Sequence, residues 1–86
     1  MRTKLLRKMR KEAHDMFLIT PTPNGVFDVQ YQVEDRITHN VSWQVLYPNK
    51  TLPDAQQLAD EARRKAFYQM VYNATYHRKV QRFNAY

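Results

Sequence analysis

An α+β domain is what this sequence predicts: helix–strand–strand–strand–helix, with a three-stranded antiparallel sheet whose one face is covered by the two terminal helices. Three observations carry that expectation. Apolar residues recur at three- and four-residue steps over residues 3–15. Apolar and polar residues alternate over 26–34 and again over 37–47. A helix-start signal at Thr51 then opens a long run free of helix breakers after Pro53.

In the first helix Leu5 or Leu6, Met9, Ala13 and Met16 or Phe17 form the apolar stripe, while Lys4, Arg7, Lys8 and Lys11 take the other side. Residues 16–20 read as the first strand, closed by Pro21-Thr22-Pro23-Asn24-Gly25, where Pro fixes φ and Asn-Gly tolerates positive φ. In the second strand Phe27, Val29, Tyr31 and Val33 alternate with Asp28, Gln30, Gln32 and Glu34. Asp35-Arg36 reverses the chain, and Val41, Trp43, Val45 and Tyr47 then alternate with Asn40, Ser42 and Gln44. Unbroken alternation puts Phe27, Val29, Tyr31, Val33, Val41, Trp43 and Val45 on one buried face, with His39 at its apolar side. Trp43→Ala would then cost about 3–5 kcal/mol. The opposite face is expected to be wet, without an exposed aromatic or a cation, which excludes an RNA-recognition motif with its stacking aromatics. Thr51 reads as the N-cap of the final helix, with Pro53 in its first turn and Asp54 at the capping-box position. The helix extends to about residue 80, and the small Ala55, Ala59, Ala62 and Ala66 on its stripe allow close approach to the sheet.

The length of 86 residues makes a single domain over 1–86, and 43% hydrophobic with 13% aromatic residues is enough for a folded core. Without cysteine there is no disulfide, zinc knuckle or iron–sulfur cluster. No apolar run approaches the ~20 residues of a spanning helix, and no signal peptide is seen. These features point away from membranes and toward a reducing cytoplasm. They also point away from enzymes. His14, His39 and His77 are far apart in sequence, the adjacent acids Asp60-Glu61 point in different directions on a helix, Glu34-Asp35 flank a turn, and a single glycine leaves no phosphate-cradling loop. No catalytic residue, metal ligand or cofactor is expected.

The charge of +6 is concentrated at the two ends. Arg2, Lys4, Arg7, Lys8, Arg10 and Lys11 lie in the first helix region, and Arg63, Arg64, Lys65, Arg78, Lys79 and Arg82 in the last. Cations in the first turn of a helix oppose its dipole at a cost of about 0.3–1 kcal/mol, so Arg2, Lys4 and Arg7 point to a role beyond helix stability. Nucleic acid, DNA or RNA, is the expected partner. Arg2, Lys4, Arg7, Lys8 and Lys11 form one phosphate-binding set, and Arg63, Arg64 and Lys65 a second patch. Tyr68, Tyr72, Tyr76 and Phe83 supply aromatic surface beside these cations. They can stack bases, or serve as the interface of a protein–protein adaptor, a self-associating protein or a virion component.

The element order resembles the double-stranded-RNA-binding domain, which implies two helices on one face of a three-stranded sheet. That family has a Lys-Lys-x-Ala-Lys cluster at the start of its last helix. Here Pro53-Asp54-Ala55-Gln56-Gln57 occupies the place and Arg63-Arg64-Lys65 follows later. The strands leading into Thr51-Leu52-Pro53-Asp54-Ala55 also resemble integrase N-terminal and AP2-type DNA-binding domains. The opening Met1-Arg2-Thr3-Lys4-Leu5-Leu6-Arg7-Lys8-Met9-Arg10-Lys11-Glu12-Ala13 resembles small basic proteins of Bacteroidales bacteria and their phages, which implies a phage or mobile-element origin, a place in the cytoplasm of a bacterium or infected host cell or in a virion, and no particular activity.

Overall fold

The computed structural model describes the backbone of residues 3–84 and the side chains of residues 3–75. Arg2, Tyr76 and Phe83 of the expected sites lie outside the described side chains. The chain order is α1 (Thr3–Asp15), β1 (Phe17–Pro21), β2 (Phe27–Glu34), β3 (Val41–Lys50) and α2 (Leu52–Asn84). All strand pairings are antiparallel and β2 is central. The α+β fold anticipated from the sequence is the one observed.

Each element forms for a local reason. β1 and β2 are joined through Thr22, whose amide and hydroxyl both donate to the Val26 carbonyl at 2.9 Å, while Gly25 takes a φ of 77° that only glycine adopts without strain. Between β2 and β3, the Asp35 carboxylate accepts the amides of Ile37 at 2.8 Å and Thr38 at 3.0 Å. Those two amides hold the Asp35 pKa below its ordinary value. Because the folded value is the lower one, this turn's contribution is present above the ordinary carboxylate range and is lost as pH falls through the lowered value. α2 opens with the amide of Ala55 donating to the Thr51 carbonyl at 2.8 Å.

The core is small. Val29, on the central strand, is fully buried against Ala55 and Ala59 of α2, with Ile19, Phe27, Tyr47 and Leu58 packed around them. α2 contacts all three strands, and α1 lies along α2 and touches β1. Alanines at the crossing let the helix backbone sit close enough to close over one valine. A larger residue there would have to displace the strand.

The third strand departs from the expectation. Partners across the ladder share a face, and the pairs Tyr31–Gln44 and Val33–Ser42 set polar residues of β3 beside the apolar residues of β2. Val41, Trp43 and Val45 instead pair with Glu34, Gln32 and Gln30, on the face away from α2. The cause is a bulge. From Val29–Tyr47 to Gln30–Val45, β2 advances one residue and β3 advances two, so Leu46 is extra and the alternation inverts. A second irregularity brings Lys50 opposite Phe27. There Asn49 adopts a φ of 58° and its amide donates to the Asp28 carboxylate at 3.0 Å. The outer face is therefore neither wholly wet nor without an aromatic: Trp43 is 38% exposed and Val41 and Val45 about half exposed. His39 belongs to the turn, exposed, with a φ of 60°, and not to the apolar side of a strand.

Two substitutions check these assignments. Ala59→Leu, in the helix–sheet crossing, is expected to lower stability by about 1–3 kcal/mol. Trp43→Ala, on the open face, is expected to cost well under the 3–5 kcal/mol of a buried aromatic. Urea unfolding followed by circular dichroism ranks the two. The reverse order would return Trp43 to the core.

Candidate nucleic-acid interface

The periodicity of α1 places its side chains as the sequence predicts. Ala13 is buried, Leu5, Leu6 and Met9 are half-buried, and Lys4, Arg7, Lys8 and Lys11 are exposed. Four cations thus line one solvent face of a single helix, with no acidic residue in its first turn to neutralise them.

Arg63, Arg64 and Lys65 do not form one patch. Successive residues of a helix are about 100° apart around its axis, so three in a row point in three directions. Arg63 points inward. Its Nε donates to the His14 carbonyl at 3.1 Å and its Nη2 to the Phe17 carbonyl at 3.0 Å, and Nη1 lies 3.7 Å from the Asp60 carboxylate. With its side chain only 20% exposed, Arg63 is committed to tying α2 to the α1–β1 junction. The His14 carbonyl is one of those a helix C-terminus leaves without an intrahelical partner, and a cation there also suits the dipole of α1.

Arg64 is exposed and faces a groove between α1 and α2 of about 380 Å³, lined by Arg10, His14, Asp60, Arg63, Arg64, Phe67 and Tyr68. The Arg10 guanidinium carbon stands 5.1 Å from the Phe67 ring centroid, a cation–π contact that holds it over the groove. The Phe67 and Tyr68 rings lie 5.7 Å apart and are tilted by 50°. Lys65 faces the other flank of α2, beside Glu61, Leu46 and Tyr47. Tyr68 and Tyr72 are both about 60% exposed along the stripe between.

Sequence reasoning therefore missed Arg10, His14 and Phe67 as parts of the site. Arg10 belongs to the basic run, and its position on the flank of the α1 apolar stripe was the available signal. The flank of α1 away from the groove is different in character. There Glu12 and Asp15 join Glu34 of β2 around a hollow of about 500 Å³ that includes Met16, Gln32 and Met70. Asp15 stands one turn after Lys11 and Glu12 one turn after Lys8, so the acidic residues adjoin the basic face at the C-terminal end of α1.

Chemically, the groove offers guanidinium forks for phosphate and an exposed ring edge for a base. Among the described residues no group of three or more histidines or carboxylates comes together that could hold a metal ion, and no helix is long and apolar enough to cross a membrane. No protein-family model, curated protein or solved structure matches this chain.

The division of labour between adjacent arginines is directly measurable. Arg63→Met removes both carbonyl bonds and is expected to lower stability by about 1.5–3 kcal/mol, the range for hydrogen bonds to a charged group. Arg64→Met, with its side chain in solvent, is expected to change stability by less than about 0.5 kcal/mol. Denaturant midpoints of the two variants provide the comparison.

Proposed function

We propose that this is a non-enzymatic nucleic-acid-binding accessory domain that grips phosphate backbone along α1 and at the α1–α2 groove. The observation that supports it most is the convergence of Arg10 and Arg64, from two helices, beside the exposed ring of Tyr68. Arg7 continues the same charge one turn before Arg10 along α1, and Lys4, Lys8 and Lys11 extend it around the exposed face. Such a surface reads backbone and shape, since long cations on a convex helix meet phosphates before they meet base edges. Arg63 contributes as the anchor of the groove floor and Lys65 as a peripheral charge. A phage or mobile-element origin and a cytoplasmic place of action belong to the same proposal, through the resemblance of the opening segment.

A protein–protein adaptor or virion component is the second reading, favoured by the exposure of Tyr68 and Tyr72. The two differ in what Tyr68 serves. Next to Arg64 it suits base stacking, where one aromatic–base contact is worth about 1–3 kcal/mol.

Fluorescence anisotropy with labelled duplex and single-stranded oligonucleotides tests the proposal. Affinity is expected to fall with salt at a log–log slope of about −0.9 per duplex phosphate contacted. Replacing Lys4, Arg7, Lys8 and Lys11 by Gln is expected to flatten that slope, as is Arg10→Gln with Arg64→Gln, while Lys65→Gln changes it least. Absence of binding at about 50 mM salt overturns the proposal. Full affinity after loss of Arg10 and Arg64 moves the site elsewhere.

A further inference from the structure

The two edges of the sheet are protected unequally. β1 is five residues long, ends in Pro21, and has the Arg63 guanidinium bonded at its first residue. Short strands and proline are the usual means of making an edge unattractive to another strand. β3 has neither protection over its first half. It spans ten residues, carries no charged side chain before Lys50, and meets its only proline at Pro48. Residues 41–46 are all exposed, and β3 contacts only β2 and α2 among the described elements. Its outer edge thus presents a row of backbone donors and acceptors flanked by Val, Trp and Val side chains.

From this edge we infer that the chain forms a reversible homodimer by antiparallel pairing of β3 with β3 of a second copy, centred on Trp43. The register follows from the sequence of the regular part, Val41-Ser42-Trp43-Gln44-Val45, which has the same pattern of residue classes in both directions. A two-fold axis at Trp43 sets Val41 opposite the second copy's Val45, Ser42 opposite its Gln44, and Trp43 opposite its Trp43. Like meets like at every position, which is what an isologous interface requires. The Leu46 bulge, Pro48 and the positive φ of Asn49 limit regular pairing to this stretch.

Charge favours the same occupant. Each copy carries +6, but the exposed cations of α1 and α2 lie on the helical side, and the edge itself is neutral. Two copies can therefore meet there without opposing charges in contact. The axis of such a pair stands perpendicular to the sheet, so the helices of both copies lie on one side of a six-stranded sheet. On the other side Val41, Trp43 and Val45 of both copies form one continuous row, with the two Trp43 rings as an aromatic pair. The paired segment is short, and its buried area falls below the ~1,200 Å² of a stable interface, so association is weak and concentration-dependent. This inference stands whether or not the helices bind nucleic acid.

The full chain, freed of nucleic acid, is tested by sedimentation equilibrium from about 1 μM to about 500 μM. Apparent mass is expected to rise from 10.4 kDa toward twice that value, and to rise more readily at higher salt as the +6 charges are screened. Association bridged by nucleic acid has the opposite salt dependence. Val41→Lys with Val45→Lys sets like charges opposite one another and is expected to abolish the rise. Val41→Lys with Val45→Glu sets opposite charges together in the same register and is expected to restore it. Hydrogen exchange on the unsubstituted chain provides a measure independent of how the variants fold: edge amides of residues 41–45 gain protection as concentration increases. A constant mass over the whole range overturns the inference. So does a dimer that survives Val41→Lys with Val45→Lys, or a dimer whose edge amides remain unprotected.

Discussion

The position of α1, and with it the direction in which most of the positive charge faces, depends on the guanidinium of Arg63. One planar group bonds the last turn of α1 and the first residue of β1 at once, joining the long helix to the junction where the first helix runs into the sheet. Lysine could not substitute, because a single ammonium lacks the rigid fork that reaches two carbonyls in different elements. The bond to His14 also satisfies a carbonyl that helix geometry leaves open, so the tie improves the helix it captures. With that end fixed, Arg10 comes to lie over Phe67, α1 turns its lysines to solvent, and Glu12 and Asp15 at its C-terminal end stand near Gln32 and Glu34 of β2.

The second constraint is the smallness of the core. One valine and two alanines form its fully buried centre, so the sheet and α2 are held by close backbone approach more than by bulk. α2 has 33 residues and is about 50 Å long at 1.5 Å per residue, which exceeds the span of strands of five to ten residues. Its first half meets the sheet on one flank and, from Asp60 to Tyr68, α1 on another. Stability is accordingly graded along one helix: greatest at Ala55 and Ala59, and resting on helix–helix packing around Phe67.

Much of this was legible in the sequence, for physical reasons that differ by element. The period of α1 was plain because Leu5, Leu6, Met9 and Ala13 follow one stripe, and β2 was plain because Phe27 to Glu34 alternate without interruption. The start of α2 was marked by Thr51, Pro53 and Asp54. The facing of β3 was not legible, because residues 41–47 alternate as well as β2 does and Leu46 has no feature that marks it as extra. The split of Arg63, Arg64 and Lys65 was readable from helix geometry alone, yet which of the three turns inward is decided by the position of the His14 and Phe17 carbonyls. Those come from elements some fifty residues earlier, beyond the reach of any local pattern.

The Leu46 bulge sets which surface of the sheet is apolar by the conformation of one residue and not by composition. If residues 41–47 paired with β2 without it, Val45 would stand opposite Tyr31 and Trp43 opposite Val33, under α2, with no change in the residues themselves. Deletion of Leu46 has the opposite consequence: Val45 would adjoin Tyr47 and still pair with Gln30, so the outward row is kept in a regular ladder. The same side chains can thus line either surface of the sheet, according to whether one leucine is absorbed into the ladder or left out of it.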